Sequence, residues 1–244
     1  MKKIAIIAEG QSELIFVRNL LIRTMDCSKI CFECFRLYAG RTLPAPFKFP
    51  NPNAEVSFLI INVGQDEKVL SFIKEREKSL LSKGYDKIIG LRDMYSEDYL
   101  KISPNKIDEN LNNSFLDSWN LTIKAMSNPS KVVLCVAIME IEAWFLAMYN
   151  IFKNINSILS VDYIESKLGI NLEEINPQIV FLKPSKMIDK ILQLVGFQYN
   201  KKEHEVEKIC SLINKDDISN VFLKKDLCSK FSEFYDELLK TLEI

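Results

Sequence analysis

Histidine is almost missing from this chain. His204 is the only one in 244 residues, which removes zinc-hydrolase designs built on two or three imidazoles. A Ser-His-Asp or Cys-His mechanism would have to run through His204. That residue lies in Lys201-Lys202-Glu203-His204-Glu205, a polar segment that reads as an exposed helix start. Glycine is scarce too: there are seven, with no GxGxxG and no P-loop, which weakens a nucleotide-binding reading. Net charge is −1 and the pI about 6.0. No global basic field draws the chain to a polyanion, so nucleic-acid contact must come from a local patch or a partner subunit. No run approaches the ~20 apolar residues that span a bilayer. After Met1-Lys2-Lys3 the apolar run Ile4 to Ala8 is cut at Glu9, short of a signal-peptide h-region. The expected location is the cytoplasm, with no membrane partner. Disulfides are not expected either: Cys27, Cys31, Cys34, Cys135, Cys210 and Cys228 are scattered and read as reduced thiols. Cys31 and Cys34 have CxxC spacing, but in a strand-like stretch positions three apart face opposite ways.

What is present is ordinary globular material, 48% hydrophobic and 27% charged, enough to bury a full core. Lys3 to Ala8 reads as a buried strand, and Glu9-Gly10 breaks it. Ser12 is read as the cap of a helix carrying Leu14, Val17, Leu21 and Met25. Ile30 to Tyr38 is a second strand. Arg41 to Asn53, with Pro44, Pro46, Pro50 and Pro52, reads as an extended surface loop. Val56 to Val63 is a strand, Val69, Ile73 and Leu80 mark a helix ending near Gly84, and Tyr85 to Leu91 is a strand running into Arg92-Asp93. Ser103-Pro104 is read as opening a helix with the stripe Ile107, Leu111, Phe115, Trp119 and Ile123. Lys131 to Ile138 is a further strand, leading into Glu140-Ile141-Glu142-Ala143-Trp144. From about Asn150 amphipathic helices take over: one opens at Lys183-Pro184-Ser185, one carries Val206, Ile209 and Ile213, and the last carries Leu227, Phe231, Phe234 and Leu238. Strands alternating with helices give an α/β fold with a mainly parallel, Rossmann-like sheet flanked by helices. The expected division is a core over residues 1–150 and a helical extension over 151–244, packed on the core as one structural unit. Trp144 and Trp119 are expected in the core. Lys183, Lys186 and Lys190 read as a solvated basic face.

Acidic residues follow three of these strands: Glu9, Asp93, and the pair Glu140 and Glu142. In an open parallel sheet ligands bind beyond the carboxyl ends of strands. Clustered carboxylates repel one another unless a cation neutralises them. Oxygen donors without histidine suit Mg²⁺ or Mn²⁺, and such a metal polarises a phosphoryl oxygen and activates water. Backbone amides near Gly10-Gln11-Ser12, at the first helix start, can hold a phosphate.

The segment Ile6-Ile7-Ala8-Glu9-Gly10-Gln11-Ser12-Glu13, followed by an apolar helix, resembles the first Toprim motif, shared by topoisomerases, bacterial primases and OLD-type nucleases. In that superfamily a glutamate ends the first strand and an Asp-x-Asp ends a later one. Asp93 matches the first aspartate, and Tyr95 stands at the second position. Met139 to Leu146, Lys183-Pro184-Ser185-Lys186 and the closing helix resemble a Toprim-related bacterial family encoded beside ABC- or AAA-type ATPases in mobile and phage-defence loci. The resemblance implies a metal-dependent nuclease with Glu9 and Asp93 as catalytic residues, Glu9 as general acid or base, and Glu9, Asp93, Glu140 and Glu142 around the metal. It implies nucleic acid as substrate and an ATPase as partner; a homo-oligomer is left open by the sequence. The alternative is a degenerate Toprim-like module that binds or regulates beside an ATPase.

Overall fold

The structure is a computed structural model that describes residues 1–64, 68–224 and 227–242. Its strands are β1 (Lys2–Ala8), β2 (Ile30–Tyr38), β3 (Arg41–Phe49), β4 (Val56–Asn62), β5 (Lys87–Asp93) and β6 (Val132–Ala137), in one sheet of order β3-β2-β4-β1-β5-β6. β1 pairs in parallel with β4 and β5, β2 in parallel with β4, and β3 runs antiparallel to β2. This is the expected α/β class, a mostly parallel sheet flanked by helices.

β1 sits between two parallel neighbours, and Ile4 to Ala8 are all 0% exposed. A strand covered on both faces must be apolar at every position rather than at alternate ones, which is why Lys3 to Ala8 shows no alternation. Helix α1 (Gln11–Thr24) packs on β1 and β4, and helix α2 (Lys68–Ser82) on β1. Val69, Leu70, Phe72, Ile73 and Leu80 of α2 join Ala5, Ile7, Ile88 and Val132 in one apolar cluster. Helix α4 (Glu109–Lys124) adds Ile123 to it; α3 (Glu97–Ile102) precedes α4 in the chain. At about 25 cal/mol per Å² of apolar surface, this burial is the main driving term for the sheet layer.

The chain forms two compact units. The first is Met1–Arg92, Glu109–Val136 and Glu237–Ile244; the second is Asp93–Asp108 and Ala137–Asp236. The first contains nearly all of the sheet. The division read at 150/151 is a change of sequence pattern and falls inside the second unit. That unit is helical after β6: α5 (Glu142–Ala147), α6 (Asn150–Ile155), α7 (Val161–Leu168), α8 (Pro177–Val180), α9 (Pro184–Gln193), α10 (Glu203–Leu212) and α11 (Lys215–Leu223), with most of α12 (Ser229–Leu242). All of α5 is buried. The Trp144 ring lies between Phe231, edge-on at 5.6 Å, and Phe234, stacked at 5.5 Å, so Trp144 is core as expected. No described helix is long and apolar enough to cross a membrane.

Four local readings are corrected. The proline-rich stretch is not loop but strand β3. It lies at the sheet edge with a single neighbour, and its register with β2 shifts between Lys48 and Pro44; an edge and a bulge are the places where a sheet accommodates prolines. Ser12 does not cap α1: Gly10 is the N-cap, and Ser12 lies inside the first turn. Ser103 closes a helix rather than opening one. Ser96 caps α3 by accepting from the Tyr99 amide, Ser103 is its C-cap, and the next helix waits until Glu109. Six residues are too few for periodicity to show. Trp119 is only half-buried, and the Arg92 guanidinium stacks 4.2 Å above its ring.

Gly90 of β5 is a glycine for packing reasons. A Cβ there would lie 2.7 Å from Leu134 Cδ1 and 2.9 Å from Ile73 Cδ1. Those tips can rotate, so Gly90→Ala should cost about 1 kcal/mol, and Gly90→Val, which must displace whole side chains, about 3 kcal/mol. Urea denaturation checks both; equal midpoints for wild type and Gly90→Val would show the site is not tightly packed.

Candidate functional site: a carboxylate–lysine centre

The second unit gathers three of the four acidic residues singled out above. Asp93 ends β5. Beyond it the Met94 amide donates to the Ala137 carbonyl and the Tyr95 amide to that of Met139, which carries the chain past the strand ends side by side. Met139 then takes a left-handed conformation, φ 63°, and turns the chain so that Glu140-Ile141-Glu142 enters α5. A non-glycine residue in that region costs about 1–2 kcal/mol. The turn is held by Asp93, whose Oδ1 accepts from the Ile141 amide at 2.8 Å.

Each glutamate of the turn has its own anchor. Glu140 sits at the N-terminus of α9: Oε2 accepts from the Ser185 amide at 2.7 Å and Oε1 from the Ser185 hydroxyl at 3.0 Å. Orphan amides at a helix start favour a carboxylate there. Pro184, first in α9, has no N–H, so Ser185 supplies the donor. Glu142 is 0% exposed, and its Oε1 accepts from the Tyr199 hydroxyl at 2.9 Å.

Lys201 joins them. Its ammonium lies 3.1 Å from Glu140 Oε1 and 3.0 Å from Glu142 Oε2; with Glu142 the alignment is that of an ion pair rather than a hydrogen bond. Lys201 also has a left-handed backbone, φ 58°. About a third of its side chain (35%) reaches water, but the charged tip is enclosed by acids. Burial of the ammonium opposes its charge, yet the carboxylates of Glu142, Asp93 and Glu140 outweigh it and lift the Lys201 pKa well above the lysine range. Burial also raises Glu142 above the usual carboxylate range; Lys201 pulls it down and Glu140 pushes it up. Burial, then Glu142, push the Tyr199 phenol far above its ordinary value, so Tyr199 stays a donor. Three carboxylates and one ammonium thus meet in this group.

Glu9 belongs to the first unit. It is half-buried, and its amide donates to the Leu91 carbonyl, continuing the β1–β5 pairing. The Gly10 amide donates to Glu13 Oε2 at 2.8 Å, so the helix's own glutamate uses a donor that was read as a phosphate contact. Glu97 and Asp98 sit exposed in the first turn of α3, and Asp98 pairs with Lys101 at 2.7 Å. Lys183, Lys186 and Lys190 are exposed, as read, and so is His204 at the start of α10. All six cysteines are free thiols. Among the described residues no group of three or more His, Cys, Asp or Glu is arranged to hold a metal ion.

Sequence reasoning missed Lys201, Tyr199 and the role of Ser185. Lys201 lies in a run read as solvated, and no pattern signals a lysine turned inward by a positive φ. The one usable signal was Lys183-Pro184-Ser185: a helix start is an anion site, and Glu140 was the acid in need of one.

Fold and centre together define the class: an α/β protein with buried carboxylates paired to a partly exposed lysine. The chain belongs to the family described as a domain of unknown function, DUF4276, whose profile matches residues 8–238. No curated protein and no solved structure matches it.

The ion pairs give a signed pH prediction. The raised Lys201 pKa means that its pairing stabilises the fold below the ordinary lysine value of 10.5 and is lost only as pH rises through the higher folded value. The raised Glu142 pKa means that ionised Glu142 is itself a cost above 4.5, which Lys201 offsets. Lys201→Met should therefore cost about 2 kcal/mol at pH 7, below the loss for a fully buried pair because the lysine is partly in water. The penalty should shrink at pH 4, as Glu142, whose pKa is raised by burial, takes up a proton. Urea denaturation at the two pH values tests this; an equal loss at both would mean lost packing rather than lost charge.

Proposed function

We propose that this protein is a metal-dependent phosphodiesterase acting on nucleic acid, with Asp93, Glu140 and Glu142, which are not grouped as a metal site in this arrangement, turning together as oxygen donors to Mg²⁺ or Mn²⁺. The observation that carries the reading is the grouping of three largely buried carboxylates at one turn, two of them within hydrogen-bonding range of a single ammonium. Buried like charges call for a cation or a proton, and all-oxygen donors suit a hard divalent ion. Non-glycine residues held at positive φ on both sides of the group, Met139 and Lys201, are the kind of strain that concentrates at working sites. The Toprim resemblance of Glu9-Gly10 and Asp93 supports the same chemistry. A bound cation would supply a polarised phosphoryl oxygen and an activated water. Lys201 would have to yield its place beside Glu140 and Glu142, after which its ammonium can face a phosphate.

A second reading rests on a specific observation. Glu140 and Glu142 already spend oxygens on Ser185, Tyr199 and Lys201, and Tyr95 replaces the second aspartate of the motif. On that reading the group is a structural clasp in a Toprim-like module that binds nucleic acid or regulates an ABC- or AAA-type ATPase.

Calorimetric titration of Mn²⁺ and Mg²⁺ into wild type, Asp93→Asn and Glu9→Gln separates the two, with the same proteins incubated with single- and double-stranded nucleic acid. The nuclease reading expects wild type to bind metal and cut, and Asp93→Asn to lose roughly a hundredfold in activity. Full cleavage by Glu9→Gln would remove Glu9 from the chemistry while leaving the second-unit group in place. Wild type that neither binds metal nor cuts leaves the module.

A further inference from the structure

The β2–β3 ribbon changes character where the sheet ends. Pairing of β2 with β4 stops at Arg36↔Asn62, and Asn62 pairs in turn with Ala8 of β1. Arg36, Asn62 and Ala8 thus form one row at the carboxyl edge of the parallel strands, the edge at which Glu9 leaves β1. β2 and β3 go on past this row as a two-stranded ribbon, through Leu37↔Thr42 and Tyr38↔Arg41, and close in a tight turn with Ala39 at φ 47° and Gly40 at φ 75°. Two residue pairs carry the ribbon about 7 Å beyond the row, with the turn in addition.

Side chains two apart on a strand share a face, as do residues paired across an antiparallel ladder. Ile30, Phe32 and Cys34 of β2 therefore share a face with Arg36 and Tyr38, and Arg41 and Leu43 of β3 lie on that same face. The first three are buried, whereas Arg36, Tyr38, Arg41 and Leu43 are all exposed, Tyr38 to 68%. The face is apolar where the sheet has a helix to cover it and turns into two arginines, a tyrosine and a leucine where the cover stops. Charge follows the same line. Residues 34–54 include Arg36, Arg41 and Lys48 and not one acid, in a chain whose net charge is −1. A further cation, Arg18 of α1, stacks 3.9 Å over Phe47 of β3.

We infer that this ribbon is a nucleic-acid-binding arm: Arg36 and Arg41 pair with successive phosphates of a single strand while Tyr38 stacks on a base. Guanidinium groups pair with phosphates through parallel N–H donors, and an exposed aromatic between two such groups is the pattern of a single-strand stacking platform. A flexible lysine-rich loop would attract the backbone but would present no flat ring at a fixed spacing. The two-stranded ladder and its tight turn supply that rigidity. The inference rests on the nucleic-acid reading above for the identity of the polyanion, and it needs no cleavage.

Fluorescence anisotropy of labelled single- and double-stranded oligonucleotides, in EDTA so that nothing is cut, tests the arm directly. Wild type is compared with Arg36→Ala/Arg41→Ala and with Tyr38→Ala, between about 50 and about 200 mM salt. All three positions are exposed, and unchanged thermal midpoints confirm that the variants fold. Loss of two phosphate contacts should make the log–log salt slope shallower by about 1.4 on a single strand. Tyr38→Ala should weaken binding about tenfold at unchanged slope, because it removes stacking and no charge. Wild-type affinity and slope in both variants would overturn the arm while leaving the nuclease reading standing. Equal loss on duplex, with Tyr38→Ala neutral, would overturn the stacking assignment. Wild type that binds no nucleic acid at the lowest salt overturns the arm and the nucleic-acid reading together. Conversely, an Asp93→Asn protein that binds as wild type through Tyr38 but cuts nothing supports both.

Discussion

The constraint behind this fold is that β1 has no access to water. Its backbone groups must be satisfied by strands on both sides, and β4 and β5 do so in parallel. Parallel strands need crossover connections, the crossovers are helices, and helices on both faces make the strand interior uniformly apolar. Polar chemistry is then excluded from the strands themselves and displaced to their carboxyl ends. Glu9, Asp93 and the Glu140–Glu142 turn all lie at or just after strand ends for this reason, although Asp93, Glu140 and Glu142 themselves stay buried there.

Within the second unit the same logic reaches its limit at Glu142, a carboxylate with no exposed surface. A lone buried carboxylate would take up a proton; this one has a phenol on one oxygen and an ammonium on the other. The arrangement favours ionisation without securing it, since burial still outweighs Lys201 in setting the direction of its shift. A group poised between a proton and a lysine can exchange one for the other, whereas a fully neutralised pair would be inert. Replacing such a pair by apolar residues is often neutral or stabilising, so its presence in a core is weak evidence for stability.

Elements with long, strongly patterned runs were legible in the sequence: β1, β2, β4, α2, β5, β6, α9, α10 and α12 follow from apolar runs, helical spacing and the Lys183-Pro184-Ser185 start. The failures share a cause, which is that local chemistry is read without knowing position in the sheet. Pro44 and Pro46 argue against a strand unless it is known to lie at an edge. Ser103 before Pro104 has the form of a helix start, but the short helix before it, anchored by Tyr99, uses the serine as a stop. Asp93, Glu140 and Glu142 were found because strand ends are visible in sequence. Lys201 and Tyr199 were not, because they arrive from a segment about sixty residues further on, through a backbone turn at φ 58° that side-chain patterns do not encode.

The edge prolines also bear on the life of the chain before it is folded. β3 ends the sheet, and an open edge is a template on which another molecule can add a strand. Pro44 and Pro46 carry no N–H, so an incoming strand meets a broken row of donors and cannot zip along it. Pairing with β2 is interrupted between Lys48 and Pro44 and resumes from Pro44 to Arg41. The ribbon is thus one-sided in its appetite for hydrogen bonds, closed to strand exchange and cross-β stacking during synthesis and refolding. Its outer face remains free for partners that bind through side chains.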